Sequence, residues 1–139
     1  MQVLDIYGTI LATENPDNEL PPRRGFDALV SICKERNVIL VTASDANINN
    51  HKADLVASGI DLAVFDNFYQ LAQLPFKDFG WILQDYQIQP QELLVVGDSD
   101  KDIEGARAVG AQFYRVQRFE FYRDYQTIES FDAVTSLLS

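Results

Sequence analysis

The sequence is poor in cysteine and in basic residues. Cys33 is the only cysteine among 139 residues, so the chain cannot form an internal disulfide, and we expect a reducing, cytoplasmic location. The 11 Lys and Arg residues are outnumbered by 21 Asp and Glu residues, which gives a formal net charge of −10. Nucleic acids and anionic membranes bind basic surfaces, so we expect neither as a partner.

The sequence also lacks a long apolar run. No uncharged stretch approaches the roughly 18 residues of a membrane-spanning helix. The first residues, MQVLDIYG, do not combine a basic segment with an apolar one, so we expect no leader peptide. With 47% apolar residues, the chain is long enough for one well-buried domain, which we place at residues 1–139.

Short apolar stretches alternate with helical patterns along the chain. We predict strands at residues 3–6, 38–41, 62–65, 93–96 and 112–116, the last of them at an edge. Uninterrupted apolar strands are typical of parallel sheets buried on both faces, and the connections are long enough for right-handed crossovers. The predicted fold is α/β, a doubly wound, Rossmann-like five-stranded parallel sheet with helices on both faces and no large cap domain.

The helical patterns lie at residues 25–36, 48–58, 79–86 and 100–109. Residues 10–24 contain three prolines and are predicted to form either a flap over the strand ends or a solvated loop. The aromatic-rich tail, residues 117–139, is predicted to pack on the core and to end in a short helix whose inward residues are Phe131, Val134, Leu137 and Leu138.

Three acids crowd the residues that follow the fourth predicted strand. Asp98, Asp100 and Asp102 fall within five residues, directly after Gly97. One such acid could simply cap the next helix. Three exceed what capping needs, and clustered carboxylates repel one another unless a cation lies among them. A hard divalent cation such as Mg²⁺ would supply that charge.

Three further residues stand where strands or helices meet loops. Asp5 lies near the end of the first strand, Thr42 follows the second, and Lys77 precedes the third helix, where a lysine can contact phosphate. The structural alternatives are a turn acid, a helix cap and a solvated charge. The single histidine, His51, is expected to be half-buried or on the surface, because no second histidine or cysteine near it could complete a metal site. Cys33 is expected in the core.

Taken together, these motifs resemble those of the haloacid dehalogenase (HAD) superfamily of phosphohydrolases. DIYGT at residues 5–9 matches the first motif, DxDxT, except at its third position. ILVT at residues 39–42 matches the apolar strand that ends in Thr or Ser, and Lys77 corresponds to the lysine of the third motif. GDSDKD at residues 97–102 matches GDSxxD, and the match continues through IEGARAVGA. The resemblance covers Met1 to about Val116 and excludes the tail.

The resemblance implies a phosphatase that forms a covalent intermediate. Asp5 would attack the substrate phosphorus and form an aspartyl-phosphate. Thr42 and Lys77 would hold the phosphoryl oxygens. The implied substrate is a phosphorylated small molecule or a phosphoryl group exposed on a larger one.

The resemblance also implies a bound Mg²⁺ ion. Its ligands would be Asp5, the backbone carbonyl of Tyr7 and Asp98. Asp102 would hold the ion's waters or orient Lys77. Such an ion would also allow a chain of net charge −10 to admit a phosphate.

Two departures from the family pattern concern Tyr7 and Lys77. Most family phosphatases have, at the position of Tyr7, an aspartate that protonates the leaving group and later activates water. Tyrosine replaces it poorly, since its pKa is about 10 and its side chain is longer. Lys77 follows Pro75, whereas the family lysine commonly stands just before a proline. Only residues 10–24 are available as a cap, so we expect an open site.

Tyrosine in the first motif is typical of one branch, the 2-haloacid dehalogenases, whose motif reads DxYGT. Those enzymes use no metal, lack the acid that corresponds to Asp98 and close their pocket with a helical cap. Phosphatase chemistry is therefore the favoured interpretation, with a dehalogenase as the alternative.

Two other interpretations remain. A receiver domain is also a small α/β unit, and Asp66 follows the third predicted strand as its phosphoacceptor would. Receivers, however, need paired acids after the first strand, where this chain has Asp5 followed by Ile6. The other interpretation is a non-catalytic HAD-like scaffold that binds only metal or phosphate.

Overall fold

The structure is a computed structural model that describes residues 2–4, 9–11, 22, 25–116 and 131–138. Asp5 and Tyr7, most of residues 10–24 and residues 117–130 of the tail lie outside the described residues. The described elements, in chain order, are β1 (Gln2–Leu4), α1 (Phe26–Glu35), β2 (Leu40–Ser44), α2 (Ile48–Ala57), a 3₁₀ helix (Leu62–Val64), β3 (Asn67–Gln70), α3 (Gly80–Tyr86), a 3₁₀ helix (Pro90–Glu92), β4 (Leu94–Gly97), α4 (Asp100–Val109), β5 (Gln112–Arg115) and α5 (Asp132–Leu138).

The five described strands form one parallel sheet in the order β3-β2-β1-β4-β5. β1 lies in the middle, where Leu4 is paired with Thr42 on one side and with Val96 on the other. All carboxyl ends of parallel strands meet at one edge of a sheet, here called the carboxyl edge. The α/β class is confirmed, and β5 lies at an outer edge of the sheet as predicted.

Helices cover both faces of the sheet. One face packs Leu40 and Val96 against Leu29 of α1 and Leu55 of α2. The other face packs Val41 and Val95 against α3 and α4, through Ile82 and Ala106. Neighbouring residues of one strand point to opposite faces, so a strand covered on both faces is mostly apolar, as β4 is throughout and β2 is apart from Thr42 and Ser44 near its carboxyl end.

The third strand was predicted in the wrong place. Residues 62–65 do not form a strand; Leu62–Val64 is a 3₁₀ helix, in which the Asp61 side chain accepts a hydrogen bond of 2.9 Å from the Ala63 N–H. The strand is Asn67–Gln70, an edge strand with no fully buried residue, so it carries little apolar signal. Asp66 therefore precedes this strand instead of following it, which removes the resemblance to a receiver phosphoacceptor.

The segments beside the undescribed residues contribute to the core. Ile10 and Leu11 are fully buried, and Leu11 forms an isolated antiparallel bridge with Pro22. In α5, Phe131 and Val134 are buried in the core cluster of α1, whereas Leu137, expected to point inward, is 61% exposed. No helix within the described ranges is long and apolar enough to span a membrane.

Candidate active site at the carboxyl edge

Thr42 and Ser44 are buried near the carboxyl end of β2. The strand was predicted to end before Thr42, but it continues to Ser44 and buries all five of its residues. Ser44 Oγ accepts a hydrogen bond of 3.1 Å from the Ala46 N–H. Among the residues that the structure describes, the buried Thr42 hydroxyl has no hydrogen-bond partner. A buried hydroxyl without a partner costs about 1–3 kcal/mol, so this hydroxyl is well suited to bind a ligand oxygen.

Hydrogen bonds after β4 show which of the three acids takes part in capping helix α4. Ser99 is the N-cap of α4, and its Oγ donates a hydrogen bond of 2.9 Å to Asp102 Oδ2. The Ser99 N–H also donates to Asp102 Oδ2, at 3.4 Å, which completes a capping box. Asp98 precedes the cap and is only 6% exposed. Capping therefore accounts for Ser99 and Asp102, and not for Asp98.

Lys77 and Asp102 form a buried ion pair. Lys77 Nζ lies 2.7 Å from Asp102 Oδ1, and both side chains are 1% exposed. The same ammonium donates a hydrogen bond of 3.2 Å to the Ala43 carbonyl oxygen of β2. Lys77 thus connects the carboxyl end of β2 to the first turn of α4. Burying two charges in this way requires close geometry and additional hydrogen bonds, and Ser99 and Ala43 supply them.

Two glycines make room for this ion pair. A Cβ at Gly97 would lie 2.6 Å from the Cβ of Asp102, so a side chain there would displace the carboxylate. A Cβ at Gly105, in α4, would overlap the Lys77 carbonyl oxygen and lie 2.9 Å from Phe79 Cε2. Gly105 therefore lets the segment that carries Lys77 approach α4, a role that the sequence analysis missed.

The third acid of the cluster has a basic partner that the sequence analysis also missed. Arg115 Nη1 lies 2.7 Å from Asp100 Oδ1, and both side chains are exposed. The contact follows from the sheet register, which pairs Arg115 of β5 with Gly97 of β4. Asp100 and Asp102 thus have basic partners within the protein. Asp98, buried directly after β4, is the acid of this cluster that the resemblance assigns to the expected cation.

The structure brings Thr42, Lys77, Asp98 and Asp102 to the same edge of the sheet, around the end of β1. Asp5 and Tyr7 follow β1 in the sequence but lie outside the described residues, so the expectation that Asp5 and Asp98 share a cation stays a prediction. Among the described residues, no group of three or more His, Cys, Asp or Glu side chains could hold a metal ion.

His51 and Cys33 are both buried and lie outside this site. His51 was expected to be half-buried or exposed, but it is fully buried on α2 beside the ring of Phe68, with centroids 5.9 Å apart. Within the described ranges neither ring nitrogen has a hydrogen-bond partner of normal geometry. Burial lowers the pKa of the imidazole, and the nearby Ala46 backbone partly offsets that lowering. Cys33 lies in the core as expected, and burial raises the pKa of its thiol to about 11.

Comparisons with known proteins agree with this geometry. Residues 79–124, which include the Asp98 and Asp102 motif, match the family model described as HAD-hydrolase-like. The structure is similar to a predicted phosphoglycolate phosphatase from Haemophilus somnus, with a TM-score of 0.75 at 13% identity, covering 100% of this chain and 97% of that chain. The chain has the HAD-like fold. The resemblance expected from the motifs is therefore confirmed.

Two further solved structures are similar in fold. CbbY from Rhodobacter sphaeroides, solved in complex with phosphate, has a TM-score of 0.71 at 13% identity and covers 92% of this chain and 91% of that chain. A dehalogenase solved with an intermediate complex has a TM-score of 0.66 at 20% identity and covers 86% of this chain and 57% of that chain. A search of curated protein sequences finds no match.

Proposed function

We propose that this HAD-like protein is a hydrolase, specifically a Mg²⁺-dependent phosphatase that acts through an aspartyl-phosphate on Asp5. The observation that carries the proposal is the buried Lys77–Asp102 pair beside the unpartnered hydroxyl of Thr42. A lysine charge and a free hydroxyl at the carboxyl edge are the groups that phosphoryl oxygens require. The phosphate complex of the similar CbbY structure is consistent with this substrate class.

Residues of the chain itself supply the nucleophile and compensate the negative charge of the phosphoryl group. The Asp5 carboxylate forms a bond to phosphorus while the bond between phosphorus and the leaving-group oxygen breaks, and water then hydrolyses the aspartyl-phosphate. The Thr42 hydroxyl donates a hydrogen bond to a phosphoryl oxygen. The Lys77 ammonium, fixed by Asp102 and the Ala43 carbonyl, compensates negative charge next to Thr42. In-line phosphoryl transfer needs mainly such positioning.

The donor set fits a hard divalent cation. Asp98 offers carboxylate oxygens in a buried position at the carboxyl edge, and Asp5 and the Tyr7 carbonyl are its proposed companions. Asp102 already engages Lys77 with one oxygen and Ser99 with the other, which favours an orienting role over direct coordination. The bound ion would offset the charge of the phosphoryl group and of the surrounding carboxylates.

Tyr7 sets the leaving-group preference. With tyrosine in place of the usual aspartate, the leaving group departs without a proton from an efficient general acid. Acyl and activated aryl phosphates should therefore be hydrolysed much faster than alkyl phosphomonoesters. General acid catalysis typically raises the rate by about 10²–10⁴, so we expect a difference of that order between the hydrolysis rates of the two substrate classes.

The test is a hydrolysis screen with and without Mg²⁺ on acetyl phosphate, an aryl phosphate, alkyl phosphomonoesters and 2-haloacids. We expect Mg²⁺-dependent release of phosphate, abolished in Asp5→Asn and unaffected in Asp27→Asn, an exposed acid of α1. Tyr7→Asp should raise activity on alkyl phosphates selectively. Wild-type and Tyr7→Asp proteins that hydrolyse nothing on the panel would favour a non-catalytic scaffold.

A 2-haloacid dehalogenase is the second candidate. The DIYGT motif and the likeness to a dehalogenase structure favour it. The same screen separates the two activities, because a dehalogenase would release halide from 2-haloacids without added metal and would release no phosphate.

A further inference from the structure

An open cavity of about 730 Å³ adjoins the segments that carry the proposed phosphate site. Its walls are Asp45, directly after β2; Gln70, the last residue of β3; and the segment 72–74 that leads toward Lys77. The Leu71 N–H donates a hydrogen bond of 2.9 Å to the Ser44 carbonyl oxygen, which holds the end of β3 against β2. The cavity is thus built on continuations of the same segments that place Thr42 and Lys77.

The lining of the cavity has a distinct charge pattern. Among the described residues that line it, Asp45 is the only ionisable one, and none is basic. Gln70 and Gln73 contribute neutral carboxamides, which both donate and accept hydrogen bonds. Leu74, 80% exposed, adds an apolar wall. These groups disfavour an anion and suit a short alkyl chain that ends in an amino group.

We propose that this cavity is the leaving-group subsite and that, among the more slowly hydrolysed alkyl phosphomonoesters, it selects aminoalkyl esters over carboxyalkyl ones. The assignment rests on the proposed phosphatase function, because a phosphoryl group held by Thr42 and Lys77 directs its leaving group outward from the carboxyl edge. Asp45 attracts the ammonium of the leaving group, and the carboxamides of Gln70 and Gln73 accept its N–H groups.

The first experiment compares kcat/KM for aminoalkyl, hydroxyalkyl and carboxyalkyl phosphomonoesters of equal chain length. We expect the order amino, hydroxy, carboxy. Asp45→Asn should reduce the amino preference about two- to fivefold through KM, as for an exposed ion pair, with kcat unchanged. Gln73→Lys should reverse the preference toward the carboxyalkyl ester. Asp27→Asn serves as the charge-matched control and should change neither the amino preference nor kcat.

The second experiment reads binding without turnover. The free amino alcohol should shift the side-chain amide signals of Gln70 and Gln73 in NMR spectra, whereas the hydroxy acid of equal length should not. Asp45→Asn should weaken those shifts. Hydrolysis of phosphomonoesters without any preference, unchanged by Gln73→Lys, would overturn the subsite and leave the phosphatase intact. Amide shifts without hydrolysis would keep the subsite and refute the phosphatase.

Discussion

Removing the charge of Lys77 is the change whose effect on the free energy of unfolding can be estimated best from the structure. Lys77→Met keeps the length of the side chain but leaves the Asp102 carboxylate buried, at 1% exposure, without its ammonium partner 2.7 Å away. It also removes the donor to the Ala43 carbonyl. Breaking a buried ion pair by removing one partner costs about 3–5 kcal/mol. That is a large share of the roughly 5–15 kcal/mol that stabilises a whole domain.

Substituting the second partner, Asp102, as well allows the free energy of the ion pair itself to be measured. Asp102→Asn preserves an acceptor for Ser99 and leaves the Lys77 charge buried, so it should cost a similar amount. The double variant Lys77→Met/Asp102→Asn buries no unpaired charge and should lose much less than the sum of the single variants. We expect a coupling free energy of about 2–3 kcal/mol, near the upper end for contacting residues.

Urea unfolding of the wild type, the two single variants and the double variant measures this coupling free energy. With a slope near 2 kcal/mol per molar urea, a loss of about 3 kcal/mol lowers the midpoint by about 1.5 M. The matched control is the exposed pair Lys101 and Glu104, whose charged atoms are 3.8 Å apart, and its coupling should be close to zero. If the stability losses of the two single variants add up in the double variant, or if Lys77→Met leaves the urea midpoint unchanged, the claim that this buried ion pair stabilises the fold is refuted.

Three other expected outcomes follow from single residues. The pKa of His51 is lowered by burial from its ordinary value of 6.5; the Ala46 backbone and Asp54 partly offset this lowering and Lys52 adds to it, so the unfolded chain binds the extra proton first as the pH falls. Stability should therefore decrease as the pH drops below about 6.5; His51→Leu should remove this component in urea titrations and, by removing two unpartnered nitrogens, stabilise the protein by about 1 kcal/mol at neutral pH. Gly105→Ala should lower the melting temperature and the phosphatase activity together, because its Cβ would overlap the Lys77 carbonyl oxygen, whereas Ala108→Gly in the same helix should cost only about 1 kcal/mol of stability. Added Mg²⁺ should raise the melting temperature by mass action, and Asp98→Asn should weaken that rise; an unchanged wild-type melting curve at millimolar Mg²⁺ would favour the metal-free dehalogenase or the scaffold.

The parts of the fold that the sequence predicts are those with strong local signals. β4 and α4 were located because an uninterrupted apolar run meets a glycine, a capping serine and a helical pattern. β3 was misplaced because an edge strand with partly exposed residues has no such run. His51 was expected to be half-buried or on the surface because no second histidine or cysteine near it could complete a metal site, although its spacing from Leu55 places both residues on the buried side of α2.

The residues of the candidate site were predictable, but of its contacts only a link between Asp102 and Lys77 was among the expectations, as one of two alternatives. Motifs indicated Thr42, Lys77, Asp98 and Asp102, but the 2.7 Å pair between Lys77 and Asp102 depends on how α4 packs against the segment after β3. The close approach at Gly105 and the contact between Arg115 and Asp100 depend on packing and strand register. Neither leaves a signal in a single sequence.

The central claim is that Asp5 becomes phosphorylated during turnover. The direct measurement is to incubate the protein with acetyl phosphate and Mg²⁺, quench, reduce with borohydride and sequence the peptides by mass spectrometry. An aspartyl-phosphate at Asp5 would be reduced to homoserine at position 5, and the signal would be absent in Asp5→Asn and retained in Asp27→Asn. Phosphate release that persists in Asp5→Asn, or homoserine at another aspartate, would contradict the account.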